Sequence, residues 1–150
     1  MRRKMEQAIT IRNARWEDEA AIKRLVRAAR LDPMSLHWKN FLVAESTGRV
    51  VGIGQVKPYR GARELGSLVV MKSHQRQGIG ATIIRALIER EPGELFLFCQ
   101  ARLEGYYARF GFRRIGFRET RGTVRTKYLF TRLFRLLGVK IVVMKRIGRG

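Results

Sequence analysis

Residues 68–81, which read LVVMKSHQRQGIGA, constrain the fold of this chain more than any other stretch. An apolar strand end, Leu68 to Val70, runs into a glycine-containing turn, Gln75 to Ala81, that opens a helix. Free backbone N–H groups at a helix start bind anions, and Gly78 and Gly80 let a phosphate approach the backbone. The stretch is not a Walker loop, because no Gly-Lys-Ser/Thr follows, and it lacks the third glycine of the dinucleotide fingerprint. Plain turn or packing glycines explain these residues as well, so both interpretations stay open at this point.

The rest of the chain alternates short strands with helices. Ile22, Leu25, Val26 and Ala29 recur at helical spacing and predict one amphipathic helix, and the apolar run from Leu95 to Gln100 predicts a buried strand. Strands are predicted at 8–13, 41–45, 49–57, 63–71, 95–100, 112–115 and 139–145, and helices at 16–30, 75–89, 102–110 and 125–137. This mixed order predicts an α/β or α+β class with a mixed sheet.

Length and cysteine content limit the classes of protein to consider. The chain has 150 residues, which predicts a single domain over 1–150. Its one cysteine, Cys99, excludes an internal disulfide, and we expect it to be a buried small hydrophobe. The histidines, His37 and His74, lack paired ligand spacing, so no metal site is expected. The chain lacks an apolar run that could span a bilayer and an apolar signal region, which predicts a cytoplasmic protein.

The net charge of +20 is the most unusual feature of the composition. Residues 113–150 concentrate it, with twelve basic side chains against one acid, Glu119. Such a charge attracts polyanions and phosphorylated small molecules and repels cations.

The predicted helix at 125–137 is basic and amphipathic. Its apolar side carries six large residues, and Lys127, Thr131, Arg132 and Arg135 lie opposite. Three interpretations stay open: a helix docked on the domain with its basic face in solvent, a helix that binds anionic membrane or nucleic acid, and a dimer contact. The apolar side consists of Leu129, Phe130, Leu133, Phe134, Leu136 and Leu137.

Several motifs occur together in an order that resembles the GNAT superfamily of acetyl-coenzyme A-dependent N-acetyltransferases. Gln75 to Gly80 matches its Gln/Arg-x-x-Gly-x-Gly/Ala pyrophosphate loop, and Val70 matches the valine that ends its fourth strand. Glu64 matches an acidic residue often placed on that strand, and 106–112, YYARFGF, resembles its aromatic signature. The resemblance implies a mixed, mostly antiparallel sheet of about six to seven strands flanked by helices, with the fourth and fifth strands splayed. The basic amphipathic helix near 125–137, inserted before the last strand, is expected from its own residues, and the stretch 117–138 is longer and more basic than the usual link between the last two strands of the family.

The resemblance also implies a site for acetyl-coenzyme A as co-substrate, without a metal. Glu64 is the candidate general base, directly or through water, and Tyr107 is the candidate acid that protonates the departing thiolate. A backbone N–H near Val70 would meet the oxyanion. The implied coenzyme A-binding residues are Leu68, Val69, Val70, Gln75, Arg76, Gln77, Gly78, Ile79, Gly80 and Ala81, together with Gln100, which stands where many members have Asn.

Structural roles compete with these assignments. Glu64 could be a solvated strand residue paired with Arg63 or another neighbour, and Tyr107 could be a packing aromatic, as is expected of Tyr106.

The sequence alone leaves two functions open. The first is an N-acetyltransferase acting on a primary amine that is neutral, anionic or carried on an acidic partner. A free polyamine would be repelled unless Glu45, Glu94 or Glu104 formed a local acidic pocket. The alternative is a non-catalytic basic domain that binds nucleic acid or a ribosome through its C-terminal region. A homodimer, with the predicted helix at 125–137 as its contact, is a further expectation.

Overall fold

A computed structural model describes residues 7–149 and contains a seven-stranded mixed sheet with four α-helices. The strand order is β1-β2-β3-β4-β5-β7-β6, with β4 and β5 parallel and the pairs β1–β2, β2–β3, β5–β7 and β6–β7 antiparallel. The strands are β1 Ile9–Asn13, β2 Phe41–Ser46, β3 Arg49–Tyr59, β4 Ala62–Val70, β5 Leu95–Gln100, β6 Arg113–Ile115 and β7 Ile141–Arg146, and the helices are α1 Glu19–Ala28, α2 Ile79–Arg90, α3 Glu104–Ala108 and α4 Gly122–Leu136. The predicted mixed, mostly antiparallel sheet flanked by helices is confirmed.

The chain forms two compact units. Of the described residues, the first comprises 7–55 and 67–87, and the second comprises 56–66 and 88–149. A single domain over 1–150 stays a prediction, and residues 1–6 and 150 of that range lie outside the described residues. Within residues 7–149, no helix combines the length and apolar character that crossing a bilayer requires.

The first unit has its own apolar core. A two-residue turn, Thr47-Gly48, joins β2 to β3, and both residues have positive φ, 49° and 75°, as a type I′ hairpin turn requires. The amphipathic pattern of α1 explains why its apolar side is buried while its charged side faces solvent. The core cluster includes Ile22, Leu25 and Val26 of α1 with Phe41, Val43 and Ile53 of β2 and β3.

Two glycines on one face of β3 let α2 pack very close to the strand. A Cβ built on Gly54 would lie 2.7 Å from Ile83 Cγ2 and 3.1 Å from Leu87 Cδ1, and one built on Gly52 would lie 3.1 Å from Ile83 Cδ1. Ile83 and Leu87 are fully buried, so neither can move into solvent. The glycines therefore set the position of α2, which follows directly from the turn at 75–78.

We expect Gly54→Ala to destabilise the protein by about 1–3 kcal/mol, because the added methyl overpacks the contact with Ile83. Urea unfolding measures this as a lower midpoint. Gly93→Ala is the matched control, because a Cβ there has no atom within 4 Å and its unfolded-state entropy change is the same. Equal midpoints for the two variants would contradict the close approach of α2 to β3.

The second unit is built around β5, β7 and β6. β5 is buried from Leu95 to Leu97, which agrees with the predicted buried strand. α4 closes the unit by packing Val124, which is fully buried, against a cluster that includes Phe96, Ile115 and Val143.

α4 docks through the side that the sequence assigns to solvent. Val124 is buried and Lys127, Tyr128 and Thr131 are half-buried. The six large apolar side chains are exposed, from 48% at Leu129 to 84% at Leu136. The helix is docked and Arg132 and Arg135 of its basic side are exposed, but its apolar side is exposed as well. The amphipathic pattern distinguishes two sides of a helix without saying which one is buried.

Candidate active site

The loop that joins β4 to α2 has an unusual backbone. After a 3₁₀ turn at Lys72–His74, Arg76 has φ of 63° and Gly78 has φ of 78° before α2 begins at Ile79. A left-handed conformation is costly for a residue with a side chain, and such strain concentrates at functional sites. Left-handed residues at a turn direct backbone N–H groups into a common concavity, which suits an anion.

Hydrogen bonds hold this loop in place. Gln75 Nε2 donates to the carbonyl of Val70 at 3.0 Å, and the N–H of Met71 donates to the carbonyl of Val51 at 2.8 Å. The N–H and hydroxyl of Thr82 both donate to the carbonyl of Gly78, at 3.0 and 2.9 Å. The first N–H groups of α2 have no partner within the helix, so they can bind a ligand.

The side chains of this segment divide into buried and exposed groups. Ile79 is buried, Val69 packs on the core of the first unit, and Leu68 Cδ1 lies beside Gly54. Residues 75–78 are exposed, and a Cβ on Gly78 would have no atom within 4 Å. Leu68, Val69 and Ile79 could therefore contact a ligand mainly through their backbone, whereas the loop also offers the Arg76 guanidinium.

The candidate base Glu64 lies in the second unit and is 4% exposed. Its carboxylate accepts two hydrogen bonds from Lys127 Nζ of α4, at 2.8 and 3.0 Å. The ammonium of Lys127 also lies 3.5 Å from the Tyr59 hydroxyl and 5.1 Å from the centre of the Phe98 ring. Glu64 is thus a buried, charge-paired group rather than a solvated strand residue.

The Glu64 carboxylate sets the direction in which the pKa of Lys127 shifts. Burial acts to lower the pKa of Lys127, but the Glu64 carboxylate and its hydrogen bonds outweigh burial, and the pKa is raised. Lys127 is therefore protonated at neutral pH, where it neutralises Glu64 and fixes its orientation.

The candidate acid Tyr107 is surrounded by aromatic rings. It makes edge contacts with Tyr106 and Phe112, at 5.2 and 6.3 Å between ring centres. Burial, with smaller contributions from Cys99 and Tyr106, raises the pKa of Tyr107 to about 12. The phenol therefore carries its proton at neutral pH, as an acid must before it donates.

The buried cysteine and the remaining predicted ligand lie elsewhere in the second unit. Cys99 is buried, as expected, and burial raises the pKa of its thiol to about 11, which makes it a poor nucleophile. Gln100, at the end of β5, is exposed, and its side-chain oxygen accepts a hydrogen bond from Arg102 Nε at 2.8 Å. Across residues 7–149, no group of three or more His, Cys, Asp or Glu side chains could hold a metal ion.

A sequence model of the family described as "Acetyltransferase (GNAT) domain" matches residues 37–114, just over half of the chain. The chain belongs to the GNAT acetyltransferase family. The matched range contains the 75–81 loop, Glu64 and Tyr107. The GNAT resemblance inferred from the sequence is thereby confirmed.

Solved GNAT structures share this fold. N-acetylglutamate synthase from Neisseria gonorrhoeae, complexed with coenzyme A and N-acetyl-glutamate, is 22% identical with a TM-score of 0.78, covering 97% of this chain and 36% of that one. Rv2747 from Mycobacterium tuberculosis, complexed with coenzyme A, is 22% identical with a TM-score of 0.73, covering 92% and 98%. The ribosomal-protein-S18-alanine N-acetyltransferase from Escherichia coli is 16% identical with a TM-score of 0.69, covering 95% and 96%.

The extent of these matches limits what they show. The chain spans about a third of the length of N-acetylglutamate synthase. No significant sequence match was found among curated proteins. At these identities the structures show the fold of the GNAT domain and not its acceptor.

The predicted site residues divide between the two units. Leu68 to Val70 and Gln75 to Ala81 belong to the first unit, where the hydrogen bond from Gln75 to Val70 brings the strand end and the loop together. Glu64, Gln100 and Tyr107 belong to the second unit. The splay of the fourth and fifth strands stays a prediction, as does each assigned role; the recorded β4–β5 pairing joins Glu64 to Phe96.

Sequence reasoning missed Lys127 as a partner of Glu64. The two residues are 63 positions apart, and nothing in the local pattern around Lys127 distinguishes it from the other cations of α4. Gly52 and Gly54 were also missed, although glycines two apart in a strand mark one face that tolerates no side chain.

Proposed function

We propose that this GNAT domain transfers the acetyl group of acetyl-coenzyme A to a primary amine by direct attack. The observation that supports the proposal most is the 75–81 loop, because it combines left-handed backbone at Arg76 and Gly78, unpaired helix-start N–H groups and an exposed guanidinium. A diphosphate needs this combination of directed donors and positive charge. Acetyl-coenzyme A supplies the activated thioester.

The side chains of the second unit suit the two proton transfers. An amine of ordinary pKa is an ammonium at neutral pH, so it must lose a proton before its lone pair can form the C–N bond. The Glu64 carboxylate accepts that proton, directly or through water, with Lys127 holding it in orientation. As the C–S bond breaks, the Tyr107 phenol protonates the thiolate. The attacking nitrogen loses its second proton as the amide forms, and this proton restores the Tyr107 phenol through water, while Glu64 releases the first proton to solvent. A backbone N–H near Val70 stabilises the oxyanion.

The charge distribution favours a neutral or anionic acceptor, or one carried on an acidic partner. The three acids that could have formed a polyamine pocket are all paired with arginine. Glu45 binds Arg12 at 2.8 Å, Glu94 binds Arg121 at 2.8 Å and Glu104 binds Arg114 at 2.6 Å. A free polyamine therefore meets the repulsive field of the +20 chain with little local compensation.

Acetyl-coenzyme A consumption, followed as thiol release across amine classes, tests this function. We expect turnover with neutral or anionic amines, amino acids and peptides among them, and little with spermidine. Efficient turnover of spermidine with a low KM would contradict the acceptor class but leave the transfer reaction standing. Absence of both coenzyme A binding and thiol release would contradict the function itself.

We expect Tyr107→Phe to lower kcat by about a hundredfold, because the thiolate loses its proton donor, while KM for acetyl-coenzyme A changes little. Since the pKa of Tyr107 is raised to about 12, its deprotonation should not reduce kcat of the wild type between pH 7 and 10. Steady-state kinetics over this range measures both effects. Tyr106→Phe is the control, and an equal loss of kcat in the two variants would contradict the assignment.

The cytoplasmic location, the homodimer and the alternative of a non-catalytic nucleic-acid or ribosome-binding domain stay predictions. The alternative requires affinity for RNA or DNA that falls steeply with salt and does not change in Glu64→Gln or Tyr107→Phe. Such a result without thiol release would favour it over the transferase.

A further inference from the structure

α4 presents a continuous apolar surface to solvent. Five of its large apolar residues and the residue that follows its end are all exposed, with Leu136 at 84% and Leu137 at 77%. At 100° per residue they lie on one side of the helix, opposite the docked residues Val124 and Tyr128. We define this surface, the α4 apolar row, as Leu129, Phe130, Leu133, Phe134, Leu136 and Leu137.

Cations lie beside and behind the α4 apolar row: Arg132 borders it, and Arg135 lies on the docked side of the helix. A cavity of about 200 Å³ lies between α4, β6 and β7, and its ten lining residues include four cations and no acid. Arg132 and Arg135 of α4 belong to this lining and alternate along the helix with Leu133, Phe134 and Leu136. Lys140, which follows the helix, and Arg114 of β6 complete the set of cations.

We propose that α4 binds the surface of an anionic lipid bilayer, with the α4 apolar row inserted among the acyl chains and the basic cavity holding headgroup phosphates. A helix that lies in a membrane interface needs an apolar side, and cations beside it that attract anionic lipid. Phe and Leu on one side, with Arg132 at its border, satisfy both requirements. The docked side, through Val124 and the Lys127–Glu64 pair, leaves this surface free to face outward.

Two other occupants fit less well. A second copy of the chain would bring another +20 charge to a surface already flanked by arginines, whereas the cores of protein interfaces are poor in charge. A nucleic acid would pair with the cations, but the four leucines of the row would then contact a polar backbone and would bury no apolar surface against an apolar partner.

Sedimentation with vesicles tests the proposal. The chain of 150 residues should bind vesicles that contain phosphatidylglycerol and should not bind pure phosphatidylcholine vesicles. Phe130→Ser combined with Leu133→Ser should weaken binding by about tenfold for each side chain removed. Arg132→Ala combined with Arg135→Ala should weaken it by about fivefold for each cation removed.

Matched controls separate this surface from general charge and exposure. Trp16 and Met34 are exposed at 69% and 71% outside α4, and their replacement by Ser should leave vesicle binding unchanged. Arg24→Ala with Arg27→Ala removes two exposed cations of α1 and should have a much smaller effect than the α4 pair. Unchanged urea midpoints in all variants confirm that the fold is kept.

Three results would overturn the proposal. The first is an absence of binding to phosphatidylglycerol vesicles at low ionic strength. The second is a dimer in analytical ultracentrifugation that Phe130→Ser with Leu133→Ser dissociates, which would assign the row to a second copy. The third is vesicle binding that is unaffected by the α4 variants while binding of RNA is lost in Arg132→Ala with Arg135→Ala.

Discussion

Glu64→Gln is expected to lower kcat by about a hundred- to ten-thousand-fold, the usual contribution of a general base. The amide keeps the shape of the carboxylate but cannot accept the proton of the attacking amine. KM for acetyl-coenzyme A should change little, since the proposed pyrophosphate contacts lie in residues 75–81. Thiol release with the best acceptor measures both constants.

The pairing of Glu64 with Lys127 adds a structural effect that has to be separated from the chemical one. Glu64→Gln leaves the Lys127 ammonium without its counter-charge, and burial then acts to lower the pKa of Lys127. Breaking a buried ion pair costs about 3–5 kcal/mol. Because the Lys127 side chain is 29% exposed, we expect a loss of stability near or below the lower end of that range.

The double variant Glu64→Gln with Lys127→Met separates the two effects. It removes both charges, so the unfolding free energy should recover most of what the single variant lost. If Glu64 is the base, kcat stays as low as in Glu64→Gln. Recovery of wild-type kcat together with stability would show that Glu64 is only structural. Lys127→Met alone keeps the carboxylate and should retain more activity than Glu64→Gln.

The loop at 75–81 could be predicted from the sequence because its determinants are local. A strand end, two glycines and a helix start lie within a dozen residues, and their order predicts a turn that opens a helix. The fold class could also be predicted from local patterns, because the apolar periodicity of each segment distinguishes a helix from a strand. Element boundaries shifted by a few residues: α2 begins at Ile79, because left-handed Gly78 cannot belong to the helix.

The surroundings of Glu64 and the orientation of α4 could not be predicted, because they depend on contacts that are distant in sequence. In the sequence, Lys127 is one of several cations of a basic helix. In the fold its Nζ lies 2.8 Å from the carboxylate of Glu64, which is 63 residues away in the chain. The usual rule that the more apolar side of a helix is buried fails for α4. Its docking uses Val124 and Tyr128 and pairs Lys127 with a buried charge, which leaves the α4 apolar row outside.

Gly78→Ala is expected to weaken coenzyme A binding by about ten- to a hundredfold. The added methyl stands in the open space beside Gly78, from which a phosphate would approach the N–H groups of the loop. Loss of one hydrogen bond to a charged group costs about 1.5–3 kcal/mol, and about 1.4 kcal/mol corresponds to a tenfold change in Kd. Isothermal titration calorimetry at low ionic strength measures the effect.

Gly48→Ala provides a closely matched control. Gly48 has φ of 75° against 78° at Gly78, and a Cβ at either position has no atom within 4 Å. Both substitutions therefore carry the same left-handed backbone cost, about 1–2 kcal/mol, and should lower the unfolding midpoint to a similar degree. Only Gly78→Ala should change the Kd of coenzyme A.

Dephospho-coenzyme A decides which part of the ligand the loop contacts. This ligand keeps the pyrophosphate, so Gly78→Ala should raise its Kd by the same factor as the Kd of coenzyme A. If Gly78→Ala weakens coenzyme A but not dephospho-coenzyme A, the loop contacts the 3′-phosphate instead of the pyrophosphate. Equal affinities of wild type and Gly78→Ala for both ligands would remove the loop from the binding site, and with it the observation that most supports acetyl transfer.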